Sequence, residues 1–233
     1  MANSGFSAPT NYWGSITGLT PTSSSDGRAN QVAEALNKCG DVIAHDVYGD
    51  VLAPSTDYAV TGDCDLSQIN LGSIHQVGTT ARRVMLTTVK INTQAGSPPT
   101  VTISGVEVES GAAATRTYAL SGVLYARDCA QDPCVGLVAS TDHTSITTTC
   151  SVQPQVATVA GTPVASDCSN GRIEVNVTAT DPTGTGTVTA NTAAGWDLTA
   201  LTAETAPDGD YITRTATATK YLTYTGSGSS SAV

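Results

Sequence analysis

The chain has 233 residues, of which 13% are charged and 5% aromatic, and its 20 Asp and Glu against 10 Lys and Arg give a formal charge of −10. This balance excludes a basic footprint for gripping nucleic acid, because an acidic surface repels phosphate. Three His, one Phe and two Met leave little material for catalysis, so the core must be built from small aliphatic side chains and Thr methyls. At this length one large β domain or two smaller ones both fit, and roughly 70–75% of the unfolded surface can be buried.

Residues 1–28, rich in Ser, Thr, Gly, Pro and Asn, read as an N-terminal arm. Its adjacent aromatics, Tyr12 and Trp13, suit docking onto the chain's own body or a neighbouring subunit. MANSGFSAPTNYW contains neither a basic n-region nor an apolar run, so synthesis in a reducing cytoplasm without a secretory signal is expected. ANQVAEAL (29–36) suits two helical turns or an edge strand. NKCGD then supplies a turn and DVIAHDVY alternates, so the stretch is predicted to form a β-hairpin. Residues 49–60 read as an extended loop that returns to a strand, interrupted by Pro54, which cannot donate within a central ladder. DCDLSQINL (63–71) is the one helix predicted, about two turns long, capped by Asp63 or Asp65 and ended by Gly72.

From residue 80 onward the pattern is of strands. TARRVMLTTVKINTQ (80–94) alternates until Thr87 and Thr88, where a bulge is expected. AGSPP (95–99) is a turn, and TVTISGVEVES (100–110) returns, with Gly105 where its alternation changes face. TRTYALSGVLY (115–125) is a further strand, and 126–142 reads as a loop. Strands follow at 145–159, broken by Pro154, and at 172–180, 185–190 and 211–225. In RIEVNVTAT (172–180), Ile173, Val175, Val177 and Ala179 face one way and the polar residues the other, as in a half-buried strand. The fold class expected is therefore all-β, an antiparallel sandwich or barrel with one short helix, a long loop and extended terminal arms. The organisation predicted is an arm over 1–28 and a core over 29–160. Additional strands over 161–225 form a second lobe or continue the sandwich, and 226–233 (GSGSSSAV) is a flexible tail.

The chemistry available is sparse. Six Cys contain no CxxC pair; Cys129 and Cys134 in CAQDPC have only His143 near them in sequence, so no metal site is predicted. Most of these Cys are expected to be small buried hydrophobes. His45, His75 and His143 lie in no nucleophile motif and read as packed or solvated side chains. Glu107 and Glu109 share a strand face that is expected to be solvated, and Asp63 and Asp65 lack the rest of a calcium loop. No phosphate-cradling glycine motif is present and no window approaches the ~18 apolar residues of a membrane helix. The chain is thus expected to be no enzyme and to need no cofactor.

The hairpin ANQVAEALNKCGDVIAHDVY, the short segment DCDLSQINL and the run of strands after residue 79, together spanning about 30–180, resemble the major tail tube proteins of tailed bacteriophages. That family has no strict motif, and the six Cys and the strands after Gly171 depart from its pattern. The resemblance implies a β-sandwich whose sheets join into a hexameric ring, with rings stacked through a loop near 47–57 and the terminal arms. It implies a virion protein that partners itself and other virion proteins, while double-stranded DNA passes an acidic lumen without specific binding and no membrane is engaged. The suspected assembly contacts are Tyr12, Trp13, Tyr48, Pro54 and Tyr58. Another virion part (capsid decoration protein, connector or baseplate piece) and a cell-surface adhesin or carbohydrate-binding module are the alternatives.

Overall fold

The computed structural model describes residues 13–36, 42–61, 66, 69–76, 82–109, 116–120, 134–135, 143–159, 162–181, 189–190, 192, 195–205 and 212–225. Among them the chain is nearly all β, as expected. The strands are β1 (Leu19–Leu36), β2 (Val42–Val60), β3 (Asn70–Leu71), β4 (Ile74–Gln76), β5 (Arg83–Gln94), β6 (Thr100–Val108) and β7 (Tyr118–Ala119). They continue with β8 (Cys134–Val135), β9 (His143–Val159), β10 (Thr162–Asp181), β11 (Thr189–Ala190), β12 (Asp197–Thr205) and β13 (Ile212–Tyr221).

One nine-stranded antiparallel sheet carries the fold, in the order β1-β2-β6-β5-β9-β10-β13-β12, with β4 also on β5. It curls until β10 comes against β6 and β2, so its apolar face closes on itself as in a sandwich. The strands after residue 161 continue this sheet: β10 pairs with β9 on one side and with β13 on the other.

Alternation explains which side chains enter the core. On β10, Ile173, Val175, Val177 and Ala179 are buried while Arg172 and Asn176 are exposed. On β5, Val84, Met85 and Leu86 are buried in succession, the register shifts between Leu86 and Thr88, and Val89 and Ile91 then resume the inward face. The bulge expected at Thr87 and Thr88 is therefore present. On β6 the alternation does not change face at Gly105: Val101, Ile103, Gly105 and Glu107 all point inward. What changes is side-chain size. A Cβ on Gly105 would lie 2.5 Å from Met85 O and from Trp13 Cη2, and 2.7 Å from Val84 Cγ1. Gly171 plays the same part on β10, where an added Cβ would collide with the ring of Tyr118.

Two expectations are corrected. The helix over 63–71 is not formed in its described part: Ile69 N donates to Leu66 O at 2.9 Å, a single tight turn, and residues 70–71 are β3, paired with β7. Residues 63–65 and 67–68 lie outside the described residues. Leu66, Ile69 and Leu71 are all buried, and so short a segment takes the conformation that its packing sets. The predicted helix end, Gly72, does take a left-handed φ of 81°. The stretch 49–60, expected as a loop returning to a strand, is strand throughout, the body of β2, which pairs with β1 from Val60↔Leu19 to Val42↔Leu36. Pro54 is tolerated because β2 pairs with β6 only over residues 55–59, so the missing N–H costs no bond on that side.

The hairpin predicted over 29–48 is present as the far end of this pair, and its turn (37–41) lies outside the described residues. Past Ser55 the β1–β2 pair runs on as a two-stranded ribbon, paired only to itself among the described residues. From Ala29 to Leu36 it spans about 25 Å. A second ribbon arises from β9 and β10. β9 leaves β5 after Ser151, β4 takes over that edge of β5, and β9–β10 pairing continues to Val159↔Thr162. Neighbouring strands alternate in direction, so both ribbons leave the end of the sheet at which β5 begins and β6 ends.

Because Gly105 has backbone on one side and an indole on the other, Gly105→Ala is expected to destabilise the fold by about 1–3 kcal/mol, as overpacking of a filled core does. Urea unfolding checks this; an unchanged midpoint would show that Trp13 does not lie on Gly105.

Candidate functional site

A partly enclosed cavity with convergent polar groups lies beside Trp13. It measures about 270 Å³ and is lined by Trp13, Ser15, Ile16, Ile69, Asn70, Ser73, His75 and Leu86. Three neighbouring elements build it. Gly72 turns the chain from β3 into β4, Gly72 N donates to Leu86 O at 2.8 Å, and Leu86 N donates to Ser73 O at 2.9 Å. These bonds fix Ser73 and His75 at the mouth. Ser73 Oγ and His75 Nε2 share a hydrogen bond of 2.9 Å, and the edge of the His75 ring meets Trp13 at 5.4 Å between centroids. Burial lowers the His75 pKa from its ordinary value of 6.5, so the ring is neutral at pH 7 and can accept or donate one bond from either nitrogen. No carboxylate lines the cavity among the described residues. His75 is thus a packed histidine; His45 on β2 opposes Glu34, and His143 on β9 opposes Ala179.

The two thiols described in full are buried, as expected for small hydrophobes. Burial pushes the Cys150 thiol up to about 12. Cys168 is pushed up to about 11, by burial first and then by Asp167, with Arg116 opposing. Both are therefore held as thiols and not as nucleophilic thiolates at neutral pH. Cys134 lies on β8 opposite Ala190, and Cys129 is outside the described residues. No group of three or more His, Cys, Asp or Glu poised for a metal exists among the described residues, and no helix among them is long and apolar enough to cross a membrane.

Glu107 departs from the solvated face assigned to it. It is 8% exposed, accepts from Leu52 N at 2.9 Å through Oε2, and meets Arg82 Nε at 3.3 Å through Oε1. The bond to Leu52 supplies the acceptor that β6 no longer offers once β2 has turned away. The sequence carries no sign of this, because the demand arises from a departure between strands far apart in the chain.

Of the five suspected assembly contacts, Trp13, Pro54 and Tyr58 lie inside the chain's own fold. Trp13 and Tyr58 are large apolar bodies in a core short of them, and burial raises the Tyr58 hydroxyl to about 12. Tyr48 sits on β2 opposite Gln31, and Tyr12 is outside the described residues. The arm over 1–28 is, from Leu19 onward, strand β1. Sequence reasoning passed over β12 altogether. DLTALTAET has no clean alternation, and all but one of its residues are exposed, so the burial that writes period two into a strand is missing.

Acidification tests the packing of His75. Its folded pKa lies below its unfolded one, so as pH falls below about 6.5 the unfolded chain takes up the proton first and the folded state loses stability. The urea midpoint is expected to fall between pH 7 and pH 5, and by less in His75→Gln; equal slopes would place the ring in solvent. No protein-family model matches the chain, and no curated protein matches it.

Proposed function

We propose that this chain is a structural subunit that assembles with copies of itself, and that its assembled form is a phage tail tube whose stacked rings let DNA pass. The observation that carries this reading is β12. It ends the nine-stranded sheet, is exposed along nearly its whole length, and has no partner on its outer edge among the described residues. Proteins that stay monomeric blunt such an edge with Pro, inward charge or bulges. β12 has no Pro and one register shift, between Leu198 and Ala200; beyond it the strand pairs regularly to Thr205, its charges stand near its ends, at Asp197 and Glu204, and Leu201 between them is 46% exposed. The opposite edge, β1, carries Pro21 and a register shift beside it.

Pairing β12 of one copy with β1 of the next would continue a single sheet through successive copies by one repeated contact, which closes into a ring when the rotation closes. The ribbons support the stacking part. Two strands without a third are marginally stable in water, and two such ribbons leaving one end of a subunit are suited to the next ring. The charge of −10 supports a conduit, since like charge keeps a polyanion from adhering to its wall. Other virion proteins would meet the open ends of such a tube.

Electron microscopy of the concentrated protein tests the reading: rings or tubes with a hole wide enough for duplex DNA are expected. Leu201→Lys combined with Ala203→Lys should abolish them while changing stability by no more than about 0.5 kcal/mol, as exposed substitutions do. Discrete monomers of the unaltered chain at high concentration would overturn the proposal.

A further inference from the structure

The second ribbon leaves the sheet beside a groove. Its volume is about 600 Å³ and it is lined by Ser151, Val152, Gln153, Pro154, Asn170, Arg172 and Tyr221. Ser151, Arg172 and Tyr221 form one row across β9, β10 and β13, since Arg172 pairs with Ser151 on one side and with Tyr221 on the other. Directly paired residues stand about 5 Å apart, so the row spans about 10 Å.

Three features set the groove apart from the rest of the surface. Tyr221 is 68% exposed, one of four large hydrophobic side chains left so open among the described residues. Arg172 is exposed, and its guanidinium enters no ion pair or hydrogen bond among the described residues. Asn170 takes a left-handed φ of 54°, the one non-glycine residue described that does. This conformation belongs to the bulge between Ser169 and Arg172, and Asn170 lines the groove. There Nδ2 donates to Gln153 Oε1 at 3.0 Å, while Gln155 Nε2 donates to Ser169 Oγ at 3.0 Å one step along the ribbon. The bond uses Asn170 Nδ2 and Gln153 Oε1 and leaves Gln153 Nε2 and Asn170 Oδ1 for a ligand, on residues that line the groove together with Arg172 and Ser151.

We propose that this groove binds a neutral hexose-based glycan. A pyranose ring has a face of C–H groups and an equatorial rim of hydroxyls. The first suits the negative face of an aromatic ring, here Tyr221. The second suits planar groups that both donate and accept, here the amides of Gln153 and Asn170 and the guanidinium of Arg172. The length of the row matches two linked rings. The net charge of −10 opposes a polyanionic glycan, and Arg172, the one charged group in the lining, can donate to neutral hydroxyls. The hydrogen-bonded amide ladder holds the groove in shape before a ligand arrives, which lowers the ordering cost of binding.

A printed array of neutral hexose oligosaccharides, with isothermal titration of the strongest hit, tests this directly. Binding is expected, weakened about tenfold by Tyr221→Ala and by Arg172→Ala, and changed less than about threefold by Tyr221→Phe, which keeps the ring. Because Tyr221 and Arg172 are exposed, these variants should fold as the parent does. No retention of any neutral glycan, retention of sulfated or uronic glycans alone, or binding unaffected by Tyr221→Ala would each overturn the proposal. Glycan binding by a chain that stays monomeric would leave the groove standing and remove the tube; tubes that retain no glycan would do the reverse.

Discussion

The fold depends on closing a core that is short of large side chains. Small aliphatic residues line the apolar face of the sheet, and two aromatic rings lie on positions where the backbone carries no side chain, Trp13 on Gly105 and Tyr118 on Gly171. Each ring supplies bulk that Val and Ala cannot, and each glycine lets it approach the backbone. The C-terminal segment then packs against the same region. Thr225 and Thr117 exchange backbone bonds of 2.7 and 3.2 Å, and Tyr224 meets Tyr118 edge-on at 6.4 Å between centroids. Arg116 joins this cluster over the Tyr224 ring and beside Asp167.

What was legible in the sequence is what burial writes into it. RIEVNVTAT could be assigned residue by residue because one of its faces is wholly inside. The bulge in β5 showed as a slip from one inward face to the other. β12 was illegible because neither of its faces is covered, and Glu107 because its partners come from β2 and from the residue ahead of β5. The helix over 63–71 was misread from local capping signals, which count for little against three buried aliphatic residues in so short a segment. Trp13 and Tyr58, named as assembly contacts, are buried in the chain's own fold, and for Trp13 docking onto the chain's own body is one of the two readings of the arm. In a chain with 5% aromatic residues the core has first claim on them.

Proline shows the same logic at the level of the ladder. Pro21 lies on the edge strand β1, Pro54 lies on β2 just before its pairing with β6 begins, and Pro154 lies on β9 after it has left β5. Among the described residues, all three stand where the strand has a neighbour on one side only. Read with the topology known, these prolines mark where the sheet stops being two-sided. Read without it, the one at Pro54 suggested a loop.

Both ribbons leave the end of the sheet where β5 begins, and the opposite end carries the short turn between β5 and β6 at residues 95–99. The sheet therefore has a front and a back. Any array of copies in one orientation inherits that direction: its two termini are chemically different, a copy added upside down meets like with like, and growth at one terminus need not resemble growth at the other.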